Sequence, residues 1–245
     1  MNTICICNQK GGTAKTTTAA ALAQAAAYRG CRALAIDVDP QGNLTLALGA
    51  NAGQRNSYRL LTGAPAADLI QETAQGVDVI AASPDLSTIT SGRGSARRLQ
   101  KALAPLQGRY DLLVIDTPPT AGELQYNGIQ AATGLIIPLQ AGAFDLQALY
   151  QITDAARQIQ RSNPALQHLG IVFTQFDRRS TIARQMHDTI KEKAEAMGVQ
   201  YLGTIRAAVA VKEAQALQQN LFDYAPKSKP ALDYMKLYEE ITQEV

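Results

Sequence analysis

The sequence predicts an α/β fold: a single domain over residues 1–245, built as a mostly parallel twisted sheet flanked by helices on both faces. Three observations predict it. Short apolar runs of β-type residues recur at 3–7, 33–37, 77–81, 112–116, 135–139, 169–174 and 201–205. These runs are apolar on both faces, as strands covered from each side must be. Helix-length segments separate them, and alternation of strand with helix is the pattern of parallel pairing. No repeat, low-complexity tract or linker interrupts the alternation, and 245 residues with 46% hydrophobic side chains suffice for one core.

The first strand, 3–7, carries Cys5 and Cys7 on one face, and Cys31 begins the second strand. All three read as small core hydrophobes rather than ligands or disulfide partners. Next comes Asn8-Gln9-Lys10-Gly11-Gly12-Thr13-Ala14-Lys15-Thr16-Thr17, followed by an alanine-rich helix at 19–28. A glycine turn between strand and helix aims successive N–H groups and a helix N-terminus at one point, which suits phosphate. In such a loop Lys15 lies against the β- and γ-phosphates and the Thr16 hydroxyl ligates Mg²⁺. The common pattern G-x-x-x-x-G-K-[ST] is not met, because Gln9 and Ala14 hold its glycine positions. Ala14 is harmless at negative φ and costly in the left-handed region.

The second strand runs into Asp37-Val38-Asp39-Pro40-Gln41-Gly42-Asn43. Ligands of open α/β sheets sit beyond the C-terminal ends of the strands, so these two carboxylates point toward the phosphate site. Pro40 and Gly42 end the strand in a loop, which also reads as an acidic turn capping a helix from Asn43 onward. After the third strand, no acid occurs between Leu86 and Tyr110, whereas Arg93, Arg97, Arg98, Lys101 and Arg109 do. Arg97, Arg98 and Lys101 share one side of a helix whose Leu99, Leu103 and Leu106 point inward. The fourth strand ends in Asp116-Thr117-Pro118-Pro119. An aspartate there holds a water of the Mg²⁺ shell in phosphate-loop enzymes, and the proline pair stiffens the loop beyond the strand.

The last three strands bring a second basic set: Arg178, Arg179, Arg184, Lys191, Lys193, Arg206, Lys212, Lys227 and Lys229, diluted by Glu192, Glu195 and Glu213. Such residues can contact DNA phosphates without reading sequence. A net charge of +2 permits that without indicating it. His168 and His187 have no partners at metal-ligand spacing. Residues 231–241 form an amphipathic segment with an acidic polar face, which reads as a docked closing helix rather than a membrane anchor. With no apolar run of about eighteen residues and no leader, a cytoplasmic protein is expected.

Lys10-Gly11-Gly12 with Lys15-Thr16 is the deviant form Lys-Gly-Gly-x-x-Lys-Thr. The sequence thereby resembles the ParA/MinD family of deviant Walker A ATPases, and within it the Soj/ParA-type partition ATPases that lack an N-terminal DNA-reading domain. The first strand, starting at residue 3, leaves no room ahead of it for such a module. Tyr58-Arg59-Leu60-Leu61-Thr62-Gly63, Ala82-Ser83-Pro84-Asp85-Leu86, Ile136-Ile137-Pro138-Leu139 and Thr174-Gln175-Phe176-Asp177 carry the resemblance across nearly the whole chain.

The resemblance implies a single-domain P-loop NTPase that uses ATP and Mg²⁺. Lys10, Gly11, Gly12, Thr13, Ala14, Lys15, Thr16 and Thr17 would hold the nucleotide, with Lys10 reaching the partner subunit's nucleotide across a dimer interface. Residues 37–43 resemble switch I, in which Asp39 orients the attacking water and Asp37 supports the Mg²⁺ shell. Thr16, Asp37 and Asp116 form the implied metal set, residues 117–119 resemble switch II, and Asn127 matches an asparagine after it. Adenine is expected, since no Asn-Lys-x-Asp guanine signature occurs. The family's Ile-Pro-Arg-Asn-Val segment over the base reads here Ile205-Arg206-Ala207-Ala208-Val209. The implied function is DNA segregation: an ATP-bound homodimer that binds DNA nonspecifically on the nucleoid and is stimulated by a ParB-like centromere-binding protein, without a membrane. Two alternatives stay open: a same-fold ATPase that positions a protein cargo, and a metabolic P-loop synthetase.

Overall fold

The computed structural model describes residues 2–243 except 93, 143, 144 and 178, and their side chains except those of 168, 169 and 243. Arg93, Arg178 and the His168 ring therefore lie outside the described residues. In chain order the elements are β1 (Asn2–Ile6), α1 (Lys15–Tyr28), β2 (Ala33–Asp37), α2 (Asn43–Ala47), α3 (Ser57–Leu61), β3 (Gln71–Glu72), β4 (Asp78–Ile80), α4 (Arg98–Leu103), β5 (Leu112–Asp116), α5 (Glu123–Ala131), β6 (Gly134–Leu139), α6 (Asp145–Gln160), β7 (Gln167–Phe176), α7 (Thr181–Ala196), β8 (Tyr201–Arg206), α8 (Val209–Ala216), α9 (Leu221–Tyr224) and α10 (Lys229–Gln243).

The strands form one sheet in the order β3-β4-β2-β5-β1-β6-β7-β8. All seven strands expected from the apolar runs are present and parallel, and β3 is an addition, antiparallel to β4. Its Gln-Glu pair has no apolar pattern that could announce a strand. Register brings Ile6 level with Asp116, and Asp116 level with Asp37, at the C-terminal edge of the three central strands. That alignment gathers the chemistry.

Alternation along β1 sends Ile4 and Ile6 to one face and Cys5 and Cys7 to the other. The cysteines are free and those two are buried, as small core hydrophobes. On the isoleucine face, α1 is buried from Thr18 to Ala26. Alanine side chains let the helix lie close to the sheet, and α10 covers it from outside through Tyr234, Leu237, Tyr238 and Ile241. The cysteine face is covered by α5, α6 and α7 through Ile129, Leu149, Ile152 and Ile190. Leu99, Leu103 and Leu106 point inward from the α4 region, as expected. Each fully buried side chain of this kind contributes about 1.5–3 kcal/mol.

Candidate active site

β1 stops at Ile6 because the chain turns over the sheet edge into the loop that opens α1. Asn8 fixes that turn: its side-chain amide donates to the Pro138 carbonyl at 2.6 Å, and its Oδ1 accepts from the Lys10 N–H at 2.9 Å. Two more side chains pin the loop by its carbonyls, Gln140 on Gly12 at 2.9 Å and Thr174 on Thr13 at 3.0 Å. Lys15 lies across the loop, its Nζ donating to the Lys10 carbonyl at 3.0 Å. Among the described residues, the N–H groups of Gly11, Gly12 and Ala14 meet no acceptor within the protein, while Thr13 closes a turn back onto Lys10. Three free donors within four residues, above a helix N-terminus and beside an ammonium group, make an anion cradle.

Ala14 completes that curve at φ 61°, ψ 33°, in the left-handed region. This is the costly alternative for a residue with a Cβ, on the order of 1–2 kcal/mol.

Thr16 donates its hydroxyl to Asp116 Oδ2 at 2.6 Å. Asp116 is fully buried, and its other oxygen has no partner. Burial first, then the neighbouring Asp37 and Asp39, hold its carboxyl well above the ordinary range. Burial also lowers the Lys15 ammonium, against the pull of Asp116, Cys7 and Asp39. A buried carboxylate with an orphaned oxygen among like charges calls for a cation. Among the described residues no three His, Cys, Asp or Glu side chains gather as a ligand set. A hydroxyl beside a carboxylate with an open oxygen suits Mg²⁺, which keeps several waters and takes few protein ligands.

Asp37 arrives at the site but turns inward. Its Oδ2 accepts from the Thr45 N–H and hydroxyl, both at 2.8 Å, and its Oδ1 from the Asp39 N–H at 3.1 Å. Burial pushes its carboxyl up to about 6 against those bonds. Asp37 is thus the cap of α2, a duty the sequence pointed toward the loop around Asn43; the N-cap position itself is Gly42, with no side-chain cap. Asp39 accepts from the Gln41 N–H at 3.0 Å and lines a cleft of about 380 Å³ with Pro40, Leu86, Pro118, Pro119 and Glu123. The cleft runs between the two switch-like loops. Behind them, Thr117 donates to the Ile6 carbonyl at 2.9 Å. Asn127 ties α5 to α4 by accepting from the Leu99 N–H at 3.0 Å.

Lys10 is held within its own chain: Nζ meets Asp145 Oδ2 at 2.9 Å. Asp145, fully buried at the start of α6, also accepts from the N–H groups of Gln140 and Gly142. Sequence reading missed this residue. Its signal was an acid opening a helix after a β6-end loop with glycine.

Beside the cradle a cavity of about 430 Å³ extends from Ala14 and Thr17 past Thr174 and Gln175 to the 205–209 segment and Tyr234. Of the basic sets, Arg206 and Lys212 line this cavity, and several other members are engaged within the chain. Arg97 donates to the Ser162 carbonyl, just before β7 and so toward the opposite edge of the sheet. Arg179 pairs with Asp177 and Lys191 with Glu195. His187 is packed among Phe173, Phe176 and Tyr201, a structural position as expected. Among the described residues no helix is long and apolar enough to cross a membrane.

A family model described as an AAA domain matches residues 1–168. The chromosome-partitioning ATPase Soj of Thermus thermophilus is 35% identical over 99% of this chain and 96% of its own. The chromosome partitioning protein ParA of Caulobacter vibrioides is 36% identical over 98% and 94%. The chain belongs to the ParA/Soj family of partition ATPases. Solved structures extend the likeness. A protein described as cobyrinic acid a,c-diamide synthase from Mycobacterium smegmatis, with bound ADP and magnesium, is 28% identical at a TM-score of 0.82, covering 100% of this chain and 95% of that one. The MinD cell division ATPase of Pyrococcus furiosus, at 24% identity and TM-score 0.79 over 100% and 99%, shares the fold.

Proposed function

We propose that this ParA/Soj-family chain is an ATP-dependent DNA-segregation ATPase. ATP binds at residues 10–17, two chains close as a homodimer with Lys10 acting on the partner's nucleotide, and the closed dimer binds DNA nonspecifically on the nucleoid. A ParB-like centromere-binding protein stimulates hydrolysis to ADP and phosphate, which releases the dimer. The observation that carries the reading is the meeting, at one edge of the sheet, of the free N–H donors of Gly11, Gly12 and Ala14, Lys15, and Thr16 bonded to an Asp116 that has one oxygen to spare.

The cradle orients the phosphates and Lys15 offsets their charge. Thr16, with Asp116 behind a water, would hold Mg²⁺, which neutralises charge on the phosphates. Asp39 orients the attacking water from the cleft between the loops. Asp37, bonded to Asp39 and Thr45, supports the metal side indirectly by holding that loop.

The deciding experiment is DNA retention by the purified protein with ATP, ADP or no nucleotide, on unrelated sequences, at low and moderate salt. Retention that requires ATP, ignores sequence and weakens with salt is expected. Intact ATPase activity without retention under any condition would remove DNA from the function. The likeness to the diamide synthase favours one second reading, a metabolic synthetase. It requires turnover to depend on a small carboxylic acid.

A further inference from the structure

We infer that the ion pair between Arg206 and Asp233 is the device that positions the base-binding wall of the nucleotide cavity, so that recognition of the nucleoside depends on the C-terminal helix. The inference rests on the nucleotide reading and concerns residues outside the phosphate cradle.

The wall is the segment Ile205-Arg206-Ala207-Ala208-Val209, which lines the 430 Å³ cavity. It leaves the sheet where β8 ends at Arg206 and has no proline to fix its backbone. Its side chains beyond Arg206 are two alanines and a valine, none able to hydrogen-bond. Between the pairing of Arg206 with Phe176 and the start of α8 at Val209, its side-chain anchor is Asp233. The Arg206 backbone N–H donates to Asp233 Oδ2 at 2.9 Å, its Nε to the same oxygen at 2.8 Å, and its Nη2 to Oδ1 at 2.6 Å. This clamp fixes the main chain and the guanidinium together, and such charge-assisted, two-pronged pairs are geometrically specific. Drawn to Asp233, the guanidinium is engaged on α10 rather than free for a ligand, which leaves Ile205, Ala208 and Val211 as the apolar lining a heterocycle needs.

Asp233 is itself positioned. Its neighbour Tyr234 lines the same cavity, is buried, and places its hydroxyl 3.3 Å from Thr18 Oγ1 on α1, the helix that opens with the cradle. Thus α10 bears on the cavity twice, through Tyr234, which lines it, and through Asp233, which holds the Arg206 of its wall. Gln175, at φ 53°, lines the same cavity. Strained non-glycine backbone is kept where a site demands it.

The test compares Mg²⁺-ATP with Mg²⁺-tripolyphosphate, which shares the phosphates and lacks the nucleoside, on the wild-type chain, Asp233→Asn, Asp233→Glu and Arg206→Gln. Asp233→Asn and Arg206→Gln are expected to weaken ATP about tenfold and to leave tripolyphosphate within about twofold. KM for ATP then rises while kcat at saturation stays within about twofold, and Asp233→Glu recovers part of the loss. Equal affinity of the variants and the wild type for ATP would overturn the inference. So would equal loss of both ligands, which would make the pair a general brace. A wild-type chain that binds neither ligand would sink the nucleotide reading itself, and the inference with it.

Discussion

Ala14 stands in the left-handed region at the head of α1, where a Cβ is a burden. Ala14→Gly is therefore expected to raise stability by about 0.5–1 kcal/mol, the steric relief outweighing the added freedom of the unfolded chain; urea unfolding reads it directly. Asp116 has the opposite problem, a buried oxygen without a partner beside other carboxylates. Asp116→Asn should raise the melting temperature of the ligand-free protein by a few degrees, about 1 kcal/mol for a chain of this size, while abolishing any further rise on adding Mg²⁺. A variant that melts lower and still responds to Mg²⁺ would contradict the metal assignment. Lys15→Ala is expected to abolish nucleotide binding, and Asp39→Ala to preserve binding and dimerisation while stopping turnover. Normal turnover in Asp39→Ala would take that carboxylate out of the chemistry. The residues of the cradle were legible because the chemistry dictates them at fixed spacing. Asp145 and the dihedral of Ala14 were not, since both depend on where distant segments meet.

Among the elements, strands were legible and boundaries less so. Runs that are apolar on both faces announce covered parallel strands, but β7 continues to Phe176, two residues past its apolar run, and the two-residue β3 carries no pattern. The packing of α5 was invisible to periodicity. A Cβ at Gly128 would lie 2.7 Å from Thr117 Cγ2 and 3.2 Å from Cys5 Sγ, so glycine is what lets α5 press against the start of the switch-like loop. Gly128→Ala is expected to cost about 1–3 kcal/mol and to push Thr117 off the Ile6 carbonyl. Reduced turnover at saturating ATP, with the loss of stability, is the outcome to look for; unchanged values of both would mean the helix shifts freely.

At the scale of the whole molecule the register of β1, β5 and β2 explains why three separate motifs meet at one edge of the sheet, for it brings Ile6, Asp116 and Asp37 level. Strand order is not written in any single segment, so this assembly became visible only in the fold. If Lys10 works on a partner's nucleotide, activity per chain should climb with protein concentration before reaching a plateau. A flat dependence from nanomolar concentrations upward would place Lys10 in its own chain's chemistry, where Asp145 already holds it. The burial of α1 on every side carries one more consequence. A helix enclosed by sheet and α10 cannot tilt without breaking the core, so the cradle at its head is a stator. Its ordering cost is met when the protein folds, and nucleotide-driven movement is left to the two loops beyond β2 and β5.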